Sequence, residues 1–297
     1  MLSGDGRGLQ NRCEGARAHS SGFDSHTPPP FSFLPMIKRC TDLTPAKWIK
    51  EGTTPPATSA SPSIGNSVTV CIPPIYPSYL KIFHPIYEDL SITDRSVSWN
   101  DMRDLDTESE DPVMKFLNST TTVYGGEFDR RMLKRITWKE LAALTKLKFH
   151  PEINVESFSR NFEGRSWPRY LIGPDEGTLD AQTCSEIVVS LEPFASDKKC
   201  FFLYDLIATD DYESDLLFEG SFQDIFEVRR IEKVHGSPTA WWPEDHSWLI
   251  YTDYDLPFTL FGGNEAAAEK LATNPKIECT EIEPHHRVDY QADRINP

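Results

Sequence analysis

Three stretches decide the fold: Ser247-Trp-Leu-Ile-Tyr-Thr-Asp253, Pro257-Phe-Thr-Leu-Phe261 and Ile277-Glu-Cys-Thr-Glu-Ile282. The first two are short runs rich in aromatic and branched residues, parted by Tyr254-Asp255, and so predict a hairpin. Gly262-Gly263 predicts a turn into a helix over Glu265–Ala272, capped by Asn264. The third stretch alternates apolar and polar residues, which predicts a returning strand. Hairpin, helix and returning strand make an α+β unit. We therefore expect an α+β fold, with a mixed or antiparallel sheet flanked by helices in a single domain.

Working outward, Cys200-Phe-Phe-Leu-Tyr-Asp-Leu-Ile-Ala208 is almost continuously apolar and reads as a central strand. Asp215–Glu219 reads as another, and Ser221–Arg230 fits either a short helix or a strand. Thr137-Trp-Lys-Glu140 is a capping box that opens a helix through Leu147. Thr178 or Asp180 caps a second helix that reaches about Leu191. Ser67-Val-Thr-Val-Cys-Ile72 is a β-branched run and predicts a strand. The spacing of Tyr79, Leu80, Phe83, Ile86 and Tyr87 predicts a helix from Ile75 to Leu90, kinked at Pro85. Residues 1–66 are rich in Gly, Ser, Thr and Pro and predict a disordered arm before a domain spanning 67–297, with one short helix near Thr44–Lys50. Met36 is an alternative start.

Composition narrows the function classes. The chain has 297 residues, 30 basic against 46 acidic, for a net charge of −16. Such a field repels phosphate backbones and anionic bilayers, so neither nucleic acid nor membrane is an expected partner. It suits a basic protein, against the plain alternative of a solvated surface. The six cysteines form no CxxC pair and no zinc-finger spacing, and no stretch resembles a secretory signal, which points to a reducing, cytoplasmic setting. No cofactor is expected: Gly125-Gly126 and Gly262-Gly263 lack the spacing of a phosphate-binding loop, and no GxSxG elbow is present.

Trp241-Trp-Pro-Glu-Asp-His-Ser-Trp248, Tyr251-Thr-Asp-Tyr-Asp-Leu256 and Phe261-Gly-Gly263 are distinctive, as are Pro73–Tyr79, Phe83-His-Pro85 and Asp293-Arg-Ile-Asn-Pro297. In these the chain resembles a group of bacterial proteins of unknown function. The resemblance covers roughly residues 68–297 and implies one integral domain. It implies no catalytic residue.

Two constellations remain. Residues 205–257 hold thirteen acids against three bases, surrounding the pair Trp241-Trp242. A loop carrying two indoles before Pro243 would leave one of them exposed. Trp241, Trp242, Asp210, Asp211, Glu244 and Asp245 are therefore the expected binding residues of a non-enzymatic, immunity-like module for a basic protein. The alternative is a metal-dependent or acid/base hydrolase built on Asp253, Asp255 and His246, since carboxylates and imidazole are metal ligands and proton carriers. Against it, Asp253 and Asp255 also suit a turn in which they bond backbone amides.

Overall fold

The structure is a computed structural model that describes residues 37–55, 66–103, 130–195, 197–211 and 214–296; Gly125-Gly126 lies outside them. Those residues form two antiparallel sheets flanked by helices. The elements, in chain order, begin with β1 (Lys38–Arg39), α1 (Lys47–Gly52), α2 (Val68–Cys71), β2 (Ser78–Phe83) and β3 (Ile86–Asp89). Next come α3 (Trp99–Arg103), β4 (Leu133–Ile136), α4 (Trp138–Leu144), α5 (Val155–Asn161), β5 (Leu171–Ile172) and α6 (Ala181–Ala195). The C-terminal part holds β6 (Lys199–Tyr204), β7 (Leu216–Ser221), α7 (Ile225–Val228), β8 (Ala240–Pro243), β9 (Trp248–Tyr251), β10 (Phe258–Gly263), α8 (Glu265–Ala272) and β11 (Cys279–Glu281).

The larger sheet runs β1-β7-β6-β8-β9-β10-β2-β11, and the smaller β4-β3-β5. Both faces of the larger sheet are covered. On one face Phe202, Trp241, Trp248, Ile250 and Phe261 pack against α6, α7 and α8 through Ile187, Leu191, Ile225 and Leu271. On the other, Phe201, Leu203, Trp242, Leu249 and Leu260 pack against α1 and α2 and the C-terminal residues Ile282 and Val288. A third cluster, built on Phe83, Ile86, Trp138, Leu141 and Phe158, joins the smaller sheet to α4 and α5.

The C-terminal reading holds closely. The hairpin β9–β10, the helix α8 and the strand β11 all form, and Asn264 Oδ1 accepts the Ala267 amide at 2.8 Å. Gly262-Gly263, however, is no turn: both residues lie inside β10. A Cβ on Gly262 would come within 2.5 Å of the Tyr76 ring, so glycine serves a close approach here. Thr137 and Glu140 make their capping box at the start of α4, and Asp180 Oδ1 accepts the Thr183 amide at the start of α6.

The N-terminal half departs from expectation. Ile37–Pro55 is part of the fold: β1 pairs with Phe218 and Glu219 of β7, and Ala46 and Ile49 are buried. The arm expected over 1–66 is corrected for those residues, while 1–36 and 56–65 lie outside the described ones. Ser67–Ile72 contains a helix, because one turn lets Val68 and Cys71 point together into the core, which outweighs β-branched propensity. The helix expected over Ile75–Leu90 is two strands. Tyr79 to Phe83 are buried in succession because β2 lies between β10 and β11 with both faces covered, and such a run carries no alternation to betray it.

Pro85 marks the passage from the larger sheet to the smaller. The preceding His84 is buried, its carbonyl accepting the Trp138 indole N–H at 2.8 Å. The His84 Nδ1 faces the Asp175 carbonyl at 2.6 Å, and a carbonyl only accepts, so Nδ1 carries the proton and Nε2 accepts from Thr259 Oγ1 at 2.9 Å.

The C-terminus is fastened to the same region. Asp293, 2% exposed, accepts from His150 Nε2, Ser157 Oγ, the amides of Ile295 and Asn296, and Asn296 Nδ2. The carboxylate lies between the serine and the imidazole, so this is no nucleophile–base pair; it is a clamp. Burial works against the charge, yet these hydrogen bonds hold its carboxyl below the usual range. Asp293→Asn turns a donor toward donors and should cost about 1.5–3 kcal/mol in denaturant unfolding. A loss under about 0.5 kcal/mol would show that the clamp is idle.

Candidate functional site

The sheet divides the acidic residues between its two ends. Because β6, β8 and β9 are antiparallel, Tyr204 ends beside Thr239 and Thr252, and Lys199 begins beside Glu244. Asp205, Asp210, Asp211, Asp215, Asp253 and Asp255 thus gather at one end. Glu244, Asp245 and His246 sit at the other, about 20 Å away along the strands. Among the described residues the single acidic surface expected over 205–257 is divided between two ends of the sheet.

At the first end the carboxylates crowd one another. Burial, then the neighbouring Asp215, pushes the Asp205 carboxyl up, against the hydrogen bond it accepts from Thr239 Oγ1 at 2.6 Å. Asp253 is likewise raised by burial and by Asp255 and Asp205, although its Oδ1 accepts the Asp255 amide at 3.0 Å. That bond is the turn role open to Asp253 and Asp255 from the outset. Tyr254, in the same turn, has its phenol raised first by Asp255. The loop carrying Glu176 lies alongside, and the Tyr290 hydroxyl sits 2.8 Å from both Glu176 Oε1 and the Asp255 carbonyl. Burial again raises Glu176. Lys50 reaches Asp215 at 3.4 Å, and His235 reaches Asp210 at 2.8 Å. The local balance still favours the acids.

Three large side chains stand out of this end: Leu206 is 45% exposed, Tyr254 39% and Tyr290 41%. Leu206 also holds φ +45°, a left-handed backbone that costs a branched residue strain. Tyr254 could have been singled out in the sequence, as an aromatic between two aspartates in a turn. Leu206 could not, because Asp205 and Leu206 continue an apolar run that reads as strand.

The other end is a tight turn. Lys198 Nζ pairs with Asp245 at 2.7 Å, the Glu244 amide bonds the Lys199 carbonyl, and His246 takes φ +52°. Partial burial opposes the charge of Asp245, but Lys198 and the Ser247 hydrogen bonds hold its carboxyl below the usual range. The His246 ring stacks on Trp48 at 4.2 Å, and burial lowers its pKa.

Neither indole of the expected anchor pair is exposed. Trp241 and Trp242 are each 0% exposed, because their segment is the inner strand β8 and not a loop. Alternation sends Trp241 to one face and Trp242 to the other, and both faces are covered. Trp241 stacks with Phe222 and Phe202, and Trp242 stacks with Phe201. As binding residues both are corrected: they are core.

The alternative hydrolase site is not assembled either, since His246 and Asp253 lie beyond opposite ends of β9. Among the described residues no three His, Cys, Asp or Glu side chains are placed to hold a metal ion. Nor is any described helix long and apolar enough to cross a membrane. No family model, curated protein or solved structure matches the chain.

Proposed function

We propose that the chain is a non-enzymatic protein-binding module that takes a basic partner on the Asp205–Asp255 end of the sheet, as an immunity-like protein does. The observation that carries this is Leu206, an exposed leucine on a strained backbone, at the end of the sheet where burial first, and neighbouring aspartates second, raise the carboxyls of Asp205 and Asp253. Strain and exposed apolar area concentrate where a contact relieves them, and a cationic partner would relieve the repulsion as well. Tyr254 and Tyr290 add amphipathic area of the kind that interface centres favour. Asp210 and Asp211 keep their proposed binding role; Glu244 and Asp245 lie at the opposite end of the sheet. The five described cysteines are free thiols, which suits a cytoplasmic setting. Membership of the bacterial group whose motifs the chain resembles belongs to the same proposal.

The test is cross-linking in the native host, followed by kinetics on the recovered protein. Asp210→Asn with Asp211→Asn should slow association about three- to tenfold and flatten its salt dependence, because rim charges steer encounter. Leu206→Ala should act on dissociation, by about 2 kcal/mol. Recovery of a partner that is not basic, or rates indifferent to both changes, would sink the reading.

A further inference from the structure

Where α5 meets the C-terminal segment the charge reverses. A groove of about 510 Å³ is lined by Glu156, Arg160, Arg165, Tyr290, Asp293 and Arg294, among others. We propose that Arg160, Arg165 and Arg294 form a binding site for a phosphate dianion, free or as a small phosphate monoester.

Named contacts bring the three arginines together. Arg160 Nε donates to the Glu156 carbonyl at 3.3 Å and its Nη2 to the Asp293 carbonyl at 3.2 Å, which fixes the guanidinium without neutralising it. Arg165 pairs with the Glu156 carboxylate. Arg294 follows Asp293 directly, and its guanidinium has no ion-pair or hydrogen-bond partner among the described residues. The Asp293 carboxylate is unavailable to any of them, being turned inward to His150, Ser157 and two backbone amides. With the Glu156 carboxylate paired to Arg165 and the Asp293 carboxylate turned inward, the guanidinium groups of Arg160 and Arg294 have no carboxylate partner among the described residues. The lining holds three arginines and two carboxylates, on a chain whose net charge is −16. Planar guanidinium forks suit the tetrahedral oxygens of phosphate, two guanidiniums without a carboxylate partner can share those oxygens, and the volume suits a small molecule.

The test is NMR of the arginine Nε–H groups in the whole chain during titration with inorganic phosphate, glycerol phosphate or acetate at constant ionic strength. Phosphate and glycerol phosphate should shift the Arg160, Arg165 and Arg294 resonances to saturation, with acetate binding at least about fivefold more weakly. Arg294→Ala removes an exposed side chain with no hydrogen bond or ion pair among the described residues, so its melting temperature should not change; it should weaken phosphate at least about fivefold. Arg230→Ala, on an exposed ion pair with Glu227 outside the groove lining, should leave phosphate affinity unchanged. Linear, unsaturated shifts, equal loss in both variants, or acetate binding as well as phosphate would each overturn the proposal.

Discussion

Trp241→Ala should lower the free energy of unfolding by about 3–5 kcal/mol, and is expected to behave as a folding mutant. The indole is fully buried between Phe222 at 5.7 Å, Phe202 at 6.4 Å and Trp248 at 5.7 Å, on a strand paired on both sides. Truncation opens a cavity that Phe202 and Trp248 cannot close without leaving their strands. Trp241→Phe should cost much less. It keeps the ring stack and removes an indole N–H that finds no acceptor among the described residues, a group that costs about 1–3 kcal/mol when buried. Chemical denaturation of the two variants separates the roles. If Trp241→Ala unfolded within about 0.5 kcal/mol of the parent, the tryptophan would not belong to the core.

Stability should also rise with pH just above neutrality, through Lys81. This side chain is 1% exposed, donates to the carbonyls of Ile153 at 2.6 Å and Pro151 at 3.1 Å, and lies over the Phe258 ring at 4.1 Å. Burial lowers its pKa from 10.5 to about 7, although Glu152 and Asp293 favour the charged form. Between those two values the unfolded chain holds a proton that the folded chain has released. Unfolding therefore becomes harder as pH rises through the window, by at most about 1.4 kcal/mol per pH unit. Below the folded value both states are protonated and the burial cost is carried in full.

Other groups act elsewhere. His84, lowered by burial to about 4, makes stability rise with pH only between there and its ordinary 6.5. The thiols of Cys200 and Cys279, raised by burial to about 12 and about 11, make it fall once unfolded cysteine ionises near 9. Between pH 7 and 8.5 comparison with Lys81→Met isolates the lysine, because the thiols act alike in both chains. Across it the parent should gain about 1–2 kcal/mol relative to Lys81→Met, and that variant should be at least as stable as the parent at pH 7, because an apolar chain replaces a buried charge. Parallel curves would mean that the lysine stays charged in both states, held by its two carbonyls.

Where the sequence could be read, local chemistry and tertiary demand agreed. Thr137-Trp-Lys-Glu140 specifies its own helix start, because both partners of the capping box lie within one turn. Asn264 does the same for α8. Cys200–Tyr204 is apolar on both parities, and the structure places it between β7 and β8, as that pattern requires. Ser67–Ile72 and Ser78–Phe83 went the other way, the first from strand to helix and the second from helix to strand. In each case the apolar residues were rightly marked for burial, but the face they would meet lies more than a hundred residues away in β10 and β11.

The candidate site was legible in charge and illegible in shape. Asp210, Asp211, Asp253 and Asp255 are visible as acids in any reading of residues 205–257. That they share an end of the sheet, with Glu244 and Asp245 on the opposite one, follows from the antiparallel order of β6, β8 and β9, and no local pattern encodes strand order. The same order makes Trp241 and Trp242 core by setting their strand inside a sheet covered on both sides, and leaves Leu206, Tyr254 and Tyr290 exposed among the acids. Composition, caps and apolar runs were thus enough to establish an acidic α+β chain and most of its C-terminal elements, since those depend on neighbours a few residues apart. Which residues stand exposed beside one another was decided only when distant strands paired, because exposure belongs to the surface that covers a residue and not to the residue itself.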